Sequence, residues 1–305
     1  KNMERDMGDS SFRKIRHLGY RVVWQGKDML TKPFIKSPQV MSIDDTYDKI
    51  INDHVSVSRF GDGEFKWMAN IKQNSFQDES ELMRKRLIEI SKSDEDNHIV
   101  CLSDSFGSLK KYNSYARDFW GCFMGMYRKK WVEYLKPGKI YYNTNMTRPY
   151  MDYVDKSVCA KRFARLKQIW ADKKICIIEG EKSRLGVGND LFEGASQIHR
   201  ILAPATNAFS KYDEILKSAT NLNKDTLILI ALGPTATILA YDLAKMGYQA
   251  IDIGHVDVEY EWFLMGATSK VPIENKYVNE SLEGRNIGQL NDEKYLSQII
   301  CAIKN

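Results

Sequence analysis

Leu227-Ile228-Leu229-Ile230-Ala231-Leu232-Gly233-Pro234-Thr235 is the stretch that decides the fold. Its apolar run reads as a continuous buried strand, and Gly233-Pro234 then opens a helix with proline at the first helical position, where a missing N–H costs nothing. Thr235 to Met246 continue that helix, Gly247 closes it, and Ala250-Ile251-Asp252-Ile253 reads as the next strand. A strand, a helix and a second strand at this spacing make a βαβ unit, so the strands are parallel and the helix N-terminus points at the sheet's carboxyl edge. Free N–H groups and the positive end of the helix dipole make Gly233, Pro234 and Thr235 a candidate anion site. Taken alone, these residues are better explained as a plain crossover with a good cap.

Further strands fall on either side of this unit. Lys174 to Ile178 leads into Glu179-Gly180-Glu181-Lys182-Ser183-Arg184-Leu185-Gly186-Val187-Gly188-Asn189-Asp190. Flexible backbone, a guanidinium, an amide and a carboxylate suit a nucleotide, which makes Arg184, Gly188, Asn189 and Asp190 candidates to bind it. Leu191 stands where a dinucleotide fingerprint needs its third glycine, so an NAD reading is poor. A surface loop with an Asx turn is the competing account. Ile50, Ile51, Val55 and Val57 read as another buried strand, followed by Arg59-Phe60-Gly61-Asp62-Gly63-Glu64-Phe65. Asp62 and Glu64 offer hard oxygens on a glycine-hinged turn, which suits Mn2+ or Mg2+, and Arg59 suits an anionic substrate sharing that metal. By itself, Asp-x-Glu is more simply a solvated polar turn.

Gly254-His255-Val256-Asp257-Val258-Glu259-Tyr260-Glu261 follows the last strand of the βαβ unit. His255, Asp257 and Glu259 fall beside the proposed anion site and are the candidates for a catalytic base or a third metal ligand. Asn143, Asn145, Thr147, Arg148 and Tyr150 follow Ile140-Tyr141-Tyr142 and can orient a sugar or phosphate or cap a helix. Aromatic residues recur at helical spacing from Tyr112 to Tyr134, and a core-facing stripe explains them better than a base-stacking surface.

With 305 residues, 43% hydrophobic and 28% charged, the chain has the composition of a globular protein large enough for a sizeable core. The net charge of +5 is spread along the chain, which gives no footprint for nucleic acid. Five unpaired-looking cysteines fit buried thiols in a reducing compartment. No signal peptide and no apolar stretch of about 20 residues is visible, giving a cytoplasmic expectation with contact at the inner face of the membrane left open. Residues 1–40 are polar and basic and read as a leader or the tail of an upstream module, with the main domain at 41–305. A helix packed on that domain's flank is the other reading.

Four ordered segments, Arg59 to Phe65, Glu179 to Phe192, Arg200 to Tyr212 and Ala231 to Met265, together resemble the bacterial glycosyltransferases of the GT-D fold. That family was first described as a domain of unknown function and occurs in glycosylation of streptococcal serine-rich repeat adhesins and in surface-polysaccharide gene clusters. The resemblance covers about residues 40–280. It implies an α/β fold with a Rossmann-like, mostly parallel sheet flanked by helices, a UDP-sugar donor, and a divalent metal held by Asp62 and Glu64. The expected activity is transfer of a hexose, glucose for preference, to a hydroxyl of a glycan or glycoprotein acceptor. Association with a glycosyltransferase complex stays open, as do a nucleotide-sugar hydrolase and a noncatalytic nucleotide-binding subunit. The resemblance assigns no catalytic base.

Overall fold

The computed structural model describes residues 18–73, 77, 78, 80–278, 280, 288 and 290–304. Among them lie strands β1 (Gln39–Val40), β2 (Ser56–Phe60), β3 (His98–Leu102), β4 (Ile140–Asn143), β5 (Lys174–Gly180), β6 (Gln197–Ala203), β7 (Leu227–Ala231), β8 (Ala250–Asp252) and β9 (Ile299–Ala302). They form one sheet in the order β1-β4-β3-β2-β8-β7-β5-β6-β9, and every pairing is parallel. The helices are α1 (residues 18–31), α2 (Ile43–Asp53), α3 (Asp62–Met68), α4 (Glu81–Ser91), α5 (Ser114–Glu133), α6 (Cys159–Lys167), α7 (Tyr212–Thr220), α8 (Pro234–Lys245), α9 (Val256–Leu264) and α10 (Glu293–Gln298). The sheet is thus α/β and helix-flanked, as the sequence implies.

The uninterrupted apolar runs of β5 and β7 follow from burial on both faces of a parallel sheet. Cys176, Ile178, Ile228 and Ile230 pack with Ile215 of α7 and Leu239 and Leu243 of α8. Their neighbours Ile175, Ile177, Leu227 and Leu229 belong to the other, larger core cluster, with Leu166 of α6 and Trp262 of α9. This alternation is the two-residue period of a strand.

One expected element moves. Ile50 and Ile51 lie in α2, whose Ile43, Tyr47 and Ile50 are buried at helical spacing, and the strand begins only at Ser56. Ser42 and Asp45 form a capping box at the start of α2, while His54, in the left-handed region at φ 52°, ends it. The apolar run Ile50 to Val57 therefore straddles a helix end and a strand.

Residues 1–17 of the proposed leader lie outside the described residues. The helix that follows, α1, packs on α5 through a bidentate pair between Asp28 and Arg128 at 2.6 and 2.9 Å. A Cβ at Gly125 would lie 1.9 Å from the Trp24 carbonyl oxygen, so the two backbones touch where α1 crosses α5. No helix among the described residues is long and apolar enough to cross a membrane.

Candidate active site

Strand order fixes where a cleft opens. From β2 the chain continues to β3 on one side, whereas β8, beside β2, leads through α9 and α10 to β9 at the far edge. Connections likewise part between β5, which leads to β6, and β7, which leads to β8. Loops that diverge leave a crevice at the strands' carboxyl ends, the usual ligand position in open α/β sheets. A cleft of about 510 Å³ lies there, lined by residues that follow β2, β4, β5, β7 and β8.

Arg59, on β2, stands at its floor. Its Nε and Nη2 donate to Asp252 Oδ1 at 3.2 and 3.0 Å, and its Nη1 donates to Thr147 Oγ1 at 2.9 Å. Burial pushes the Asp252 carboxyl up from its usual range, and the Arg59 guanidinium opposes that push. Gly254 has φ +45°, and a Cβ there would lie 1.8 Å from Arg59 Nη2. The glycine is what lets the guanidinium sit between β2 and β8.

Asp62 and Glu64 occupy the first turn of α3, at the rim of the same cleft. Glu64 Oε2 accepts from the Gly61 N–H at 2.8 Å, and Asp62 Oδ2 accepts from Lys66 Nζ at 2.7 Å. Burial, reinforced by the nearby Asp252 charge, pushes Glu64 up to about 7, against the opposing pull of the Gly61 N–H and Arg59. Glu64 has no ion-pair partner among the described residues, so a divalent cation would relieve it. Among the described residues no three acidic, histidine or cysteine side chains converge as a complete metal cage. Two carboxylates on an accessible rim still fit Mg2+ or Mn2+, which take few protein ligands and complete their shell with water and substrate oxygens. Lys66 holds the Asp62 oxygen for which such a cation would compete.

The start of α8 forms another part of the lining. Gly233 and Pro234 face the cleft, with Gly233 at φ 56° and ψ −138°, a conformation that favours glycine. Thr235 does not line it; its side chain is fully buried, and its hydroxyl has no partner among the described residues. Asn145 and Arg148, after β4, also line the cleft, and Arg148 Nη2 reaches Glu280 at 2.9 and 3.0 Å.

The loop after β5 divides differently from its sequence reading. Gly180, Ser183 and Leu185 line the cleft, while Arg184, Gly188, Asn189 and Asp190 do not. Arg184 donates to the carbonyls of Asn275 and Gly288. Asn189 Nδ2 bridges Asp257 at 2.8 Å and Glu261 at 2.7 Å, and Asp190 pairs with Lys167 and Tyr260. These groups hold the loop against α6, α9 and the segment near Asn275.

The three base candidates also separate. Glu259 is fully buried outside the cleft lining, and its Oε2 accepts from the Tyr150 and Met151 N–H groups at 3.2 and 3.0 Å. Asp257 lines the cleft but accepts from the Gly186 N–H, Asn189 and Lys276 at 2.9, 2.8 and 2.7 Å. His255 lines it too, and burial lowers its pKa to about 4, leaving a neutral ring at neutral pH. Residues that the sequence reading leaves in the core or does not mark complete the lining: Tyr115, Phe119 and Trp120 of α5, with Asp152 and Lys270. Tyr115 and Phe119 share their four-residue spacing with the buried Phe123, so no local signal in the sequence sets them apart.

An all-parallel helix-flanked sheet with a cleft at its switch points, lined by acidic and cationic as well as apolar side chains, defines an open α/β protein with a candidate ligand site. The chain belongs to the glycosyltransferases of the GT-D fold: the model of that family, described as "Glycosyltransferase GT-D fold", matches residues 57–281. It is 40% identical over 272 residues to "Probable glycosyl transferase Gly" of Streptococcus gordonii, a match covering 89% of this chain and 40% of that protein. It is 41% identical over 281 residues to "Glycosyltransferase GlyD" of Streptococcus pneumoniae serotype 4, covering 92% of this chain and 34% of that protein. The chain therefore spans well under half the length of these curated relatives. A solved structure titled "The highly conserved domain of unknown function 1792 has a distinct glycosyltransferase fold" matches with TM-score 0.85 and 40% identity, covering 91% of this chain and 100% of that one. Another, "A New Glycosyltransferase (DUF1792) from Streptococcus sanguinis", matches with TM-score 0.83 and 40% identity, covering 88% and 100%.

Proposed function

We propose that this chain is a metal-dependent glycosyltransferase that moves a hexose, with glucose the expected sugar, from a UDP donor to a hydroxyl of a glycan or glycoprotein. The observation that carries this reading is one cleft lined by Arg59, Asp62, Glu64 and the Gly233-Pro234 helix start. A nucleoside diphosphate is suited by a cationic side chain, the positive end of a helix and a divalent metal at one place, and this cleft offers the first two and the carboxylates for the third. Uridine and glucose rest on the family resemblance.

Asp62 and Glu64 would hold Mn2+ or Mg2+, which when bound would offset charge on the departing diphosphate. Arg59, fixed by Asp252 and Thr147, stabilises the same leaving group, as does the positive end of the α8 dipole. Asn145 and Arg148 orient the donor from the β4 side. Arg184, Asn189 and Asp190 act by shaping the loop whose Gly180 and Ser183 face the ligand. Of the base candidates, Glu259 is walled off and Asp257 holds three donors. The neutral His255 ring, which lines the cleft, would accept a hydrogen bond from an acceptor hydroxyl, and a pKa near 4 makes it a weak base at neutral pH.

A donor screen with and without Mn2+, against a panel of glycan acceptors, tests the reading. Metal-dependent sugar transfer from a UDP-hexose is the expected result. Release of free sugar at the same rate with and without acceptor favours a hydrolase, and UDP binding without turnover of any donor favours a binding subunit.

A further inference from the structure

We propose that Tyr115 and Phe119, in the first turns of α5 and backed by the buried Trp120, form a platform on which a pyranose ring of the acceptor stacks, with Asp152 and Lys270 at its polar rim. The proposal rests on the transferase reading and identifies where that reaction's second substrate sits.

The rings line the cleft that Arg59, Asp62 and Glu64 also line. Farther along α5, Phe123 and Trp131 are sealed in, at 3% and 0% exposed, and Tyr127 is partly buried. Tyr115, at 70%, and Phe119, at 39%, are not. Large rings left open one helical turn apart, facing a polar-rimmed cleft, mark a contact surface rather than incomplete packing. A pyranose has the complementary chemistry, because its axial C–H groups make an apolar face and its hydroxyls a polar rim.

Packed rings join Phe119 to the acidic turn. Phe119 stacks on Phe123 with centroids 5.8 Å apart and planes 23° apart, and Trp120 meets Phe119 edge-on at 5.1 Å. Phe123 in turn contacts Phe65, the residue after Glu64, at 5.6 Å, and Lys66, which bonds to Asp62, lies 5.7 Å above the Phe123 ring. The contacts thus run from Asp62 through Lys66 and Phe123 to the Phe119 ring. Lys270 Nζ is paired with Glu280 Oε2 and lies 5.7 Å from the Tyr115 ring and 4.0 Å from Asp152 Oδ1, so one ammonium hydrogen bond is taken by the fold and the others, with the Asp152 carboxylate, stand beside the outermost ring. Ring, carboxylate and ammonium together can grip both the face and the rim of a sugar.

The test is saturation-transfer NMR on the full chain with UDP and Mg2+, using methyl β-D-glucopyranoside, methyl β-D-galactopyranoside and methyl N-acetyl-β-D-glucosaminide as probes. At least one glycoside should bind, with saturation concentrated on the axial protons of one face. Tyr115→Ala and Phe119→Ala should each weaken that binding by about fivefold, and Phe119→Tyr should restore it. UDP affinity, measured by calorimetry, should stay within about twofold throughout, as expected for rings that touch only the acceptor. Because Tyr115 is open to solvent, its variant decides the matter even if Phe119→Ala unfolds. Failure of all three glycosides to bind, binding indifferent to both substitutions, or a parallel loss of UDP affinity, which would make the rings a uracil platform, each overturns the proposal. Ring-dependent glycoside binding by a wild-type chain that binds no UDP would overturn the transferase reading and leave the sugar platform standing.

Discussion

The segment after β2 and the segment after β5 begin alike: each leaves a buried strand, bends at glycine and presents acids and an arginine within a few residues. They end differently. After β2, Asp62 and Glu64 reach the cleft rim with one lysine and one backbone N–H as their partners, and Arg59 keeps an edge on the cleft. After β5, Arg184 donates to carbonyls, Asn189 is divided between Asp257 and Glu261, and Asp190 is held by Lys167 and Tyr260. Polar residues beside a cleft become ligand groups only when the fold does not already use their hydrogen-bonding capacity. In the second loop the fold uses nearly all of it, and the ligand is left with backbone and Ser183.

The sharpest way to break this contrast is to remove the two rim carboxylates. Asp62→Asn and Glu64→Gln keep volume on a partly exposed turn, so each should leave the fold intact and reduce transfer about a hundredfold or more, as expected for losing a metal contact in the transition state. Rates measured over a Mn2+ titration, with circular dichroism as the control for folding, check this. Wild-type turnover by both variants at limiting metal would erase the distinction between the two segments.

A smaller effect should follow from disturbing Arg59 without touching it. Gly254→Ala places a methyl group 1.8 Å from Nη2 and forces a residue with φ +45° to carry a side chain. The guanidinium must move, which leaves the buried Asp252 short of its partner. A loss of about 2 kcal/mol in stability and about tenfold in UDP affinity is expected. Thermal denaturation and calorimetry read the two, and an unchanged UDP affinity would remove Arg59 from the donor site.

The contrast also shows what a sequence can convey. β7, α8 and β8 were legible because apolar continuity, proline at the helix start and glycine at its end are local signals that agree. β6 gave no such signal: Arg200 interrupts its apolar pattern, and only the fold shows that its guanidinium is buried against Glu179 at 2.6 Å. β1 and β9 are short edge strands with partly exposed patterns. In the candidate site, the acidic turn and the α8 start could be placed from strand ends alone. The roles of Asn189, Asp190 and Glu259 could not, since whether a polar group is free depends on partners up to 109 residues away, as for Glu259 and Tyr150. Nor could the open rings of α5, because Tyr115 and Phe119 share their spacing with rings that are buried.

The smallest predicted effects on ligand binding are in the loop after β5. Asn189→Ala removes both donors to Asp257 and Glu261, but Lys276 still bridges these acids at 2.7 Å to each. The carboxylates therefore stay paired, and the loss should be about 1 to 2 kcal/mol of stability with UDP affinity within about twofold of wild type. Asp190→Asn should cost less still, because Asp190 and Lys167 meet at the surface, where water screens the pair. Denaturant titration and calorimetry on the two variants measure both quantities. A tenfold fall in UDP affinity for Asn189→Ala, with stability unchanged, would mean that this amide touches the nucleotide after all, and that the loop after β5 opens toward the ligand in a way its hydrogen bonds here do not allow.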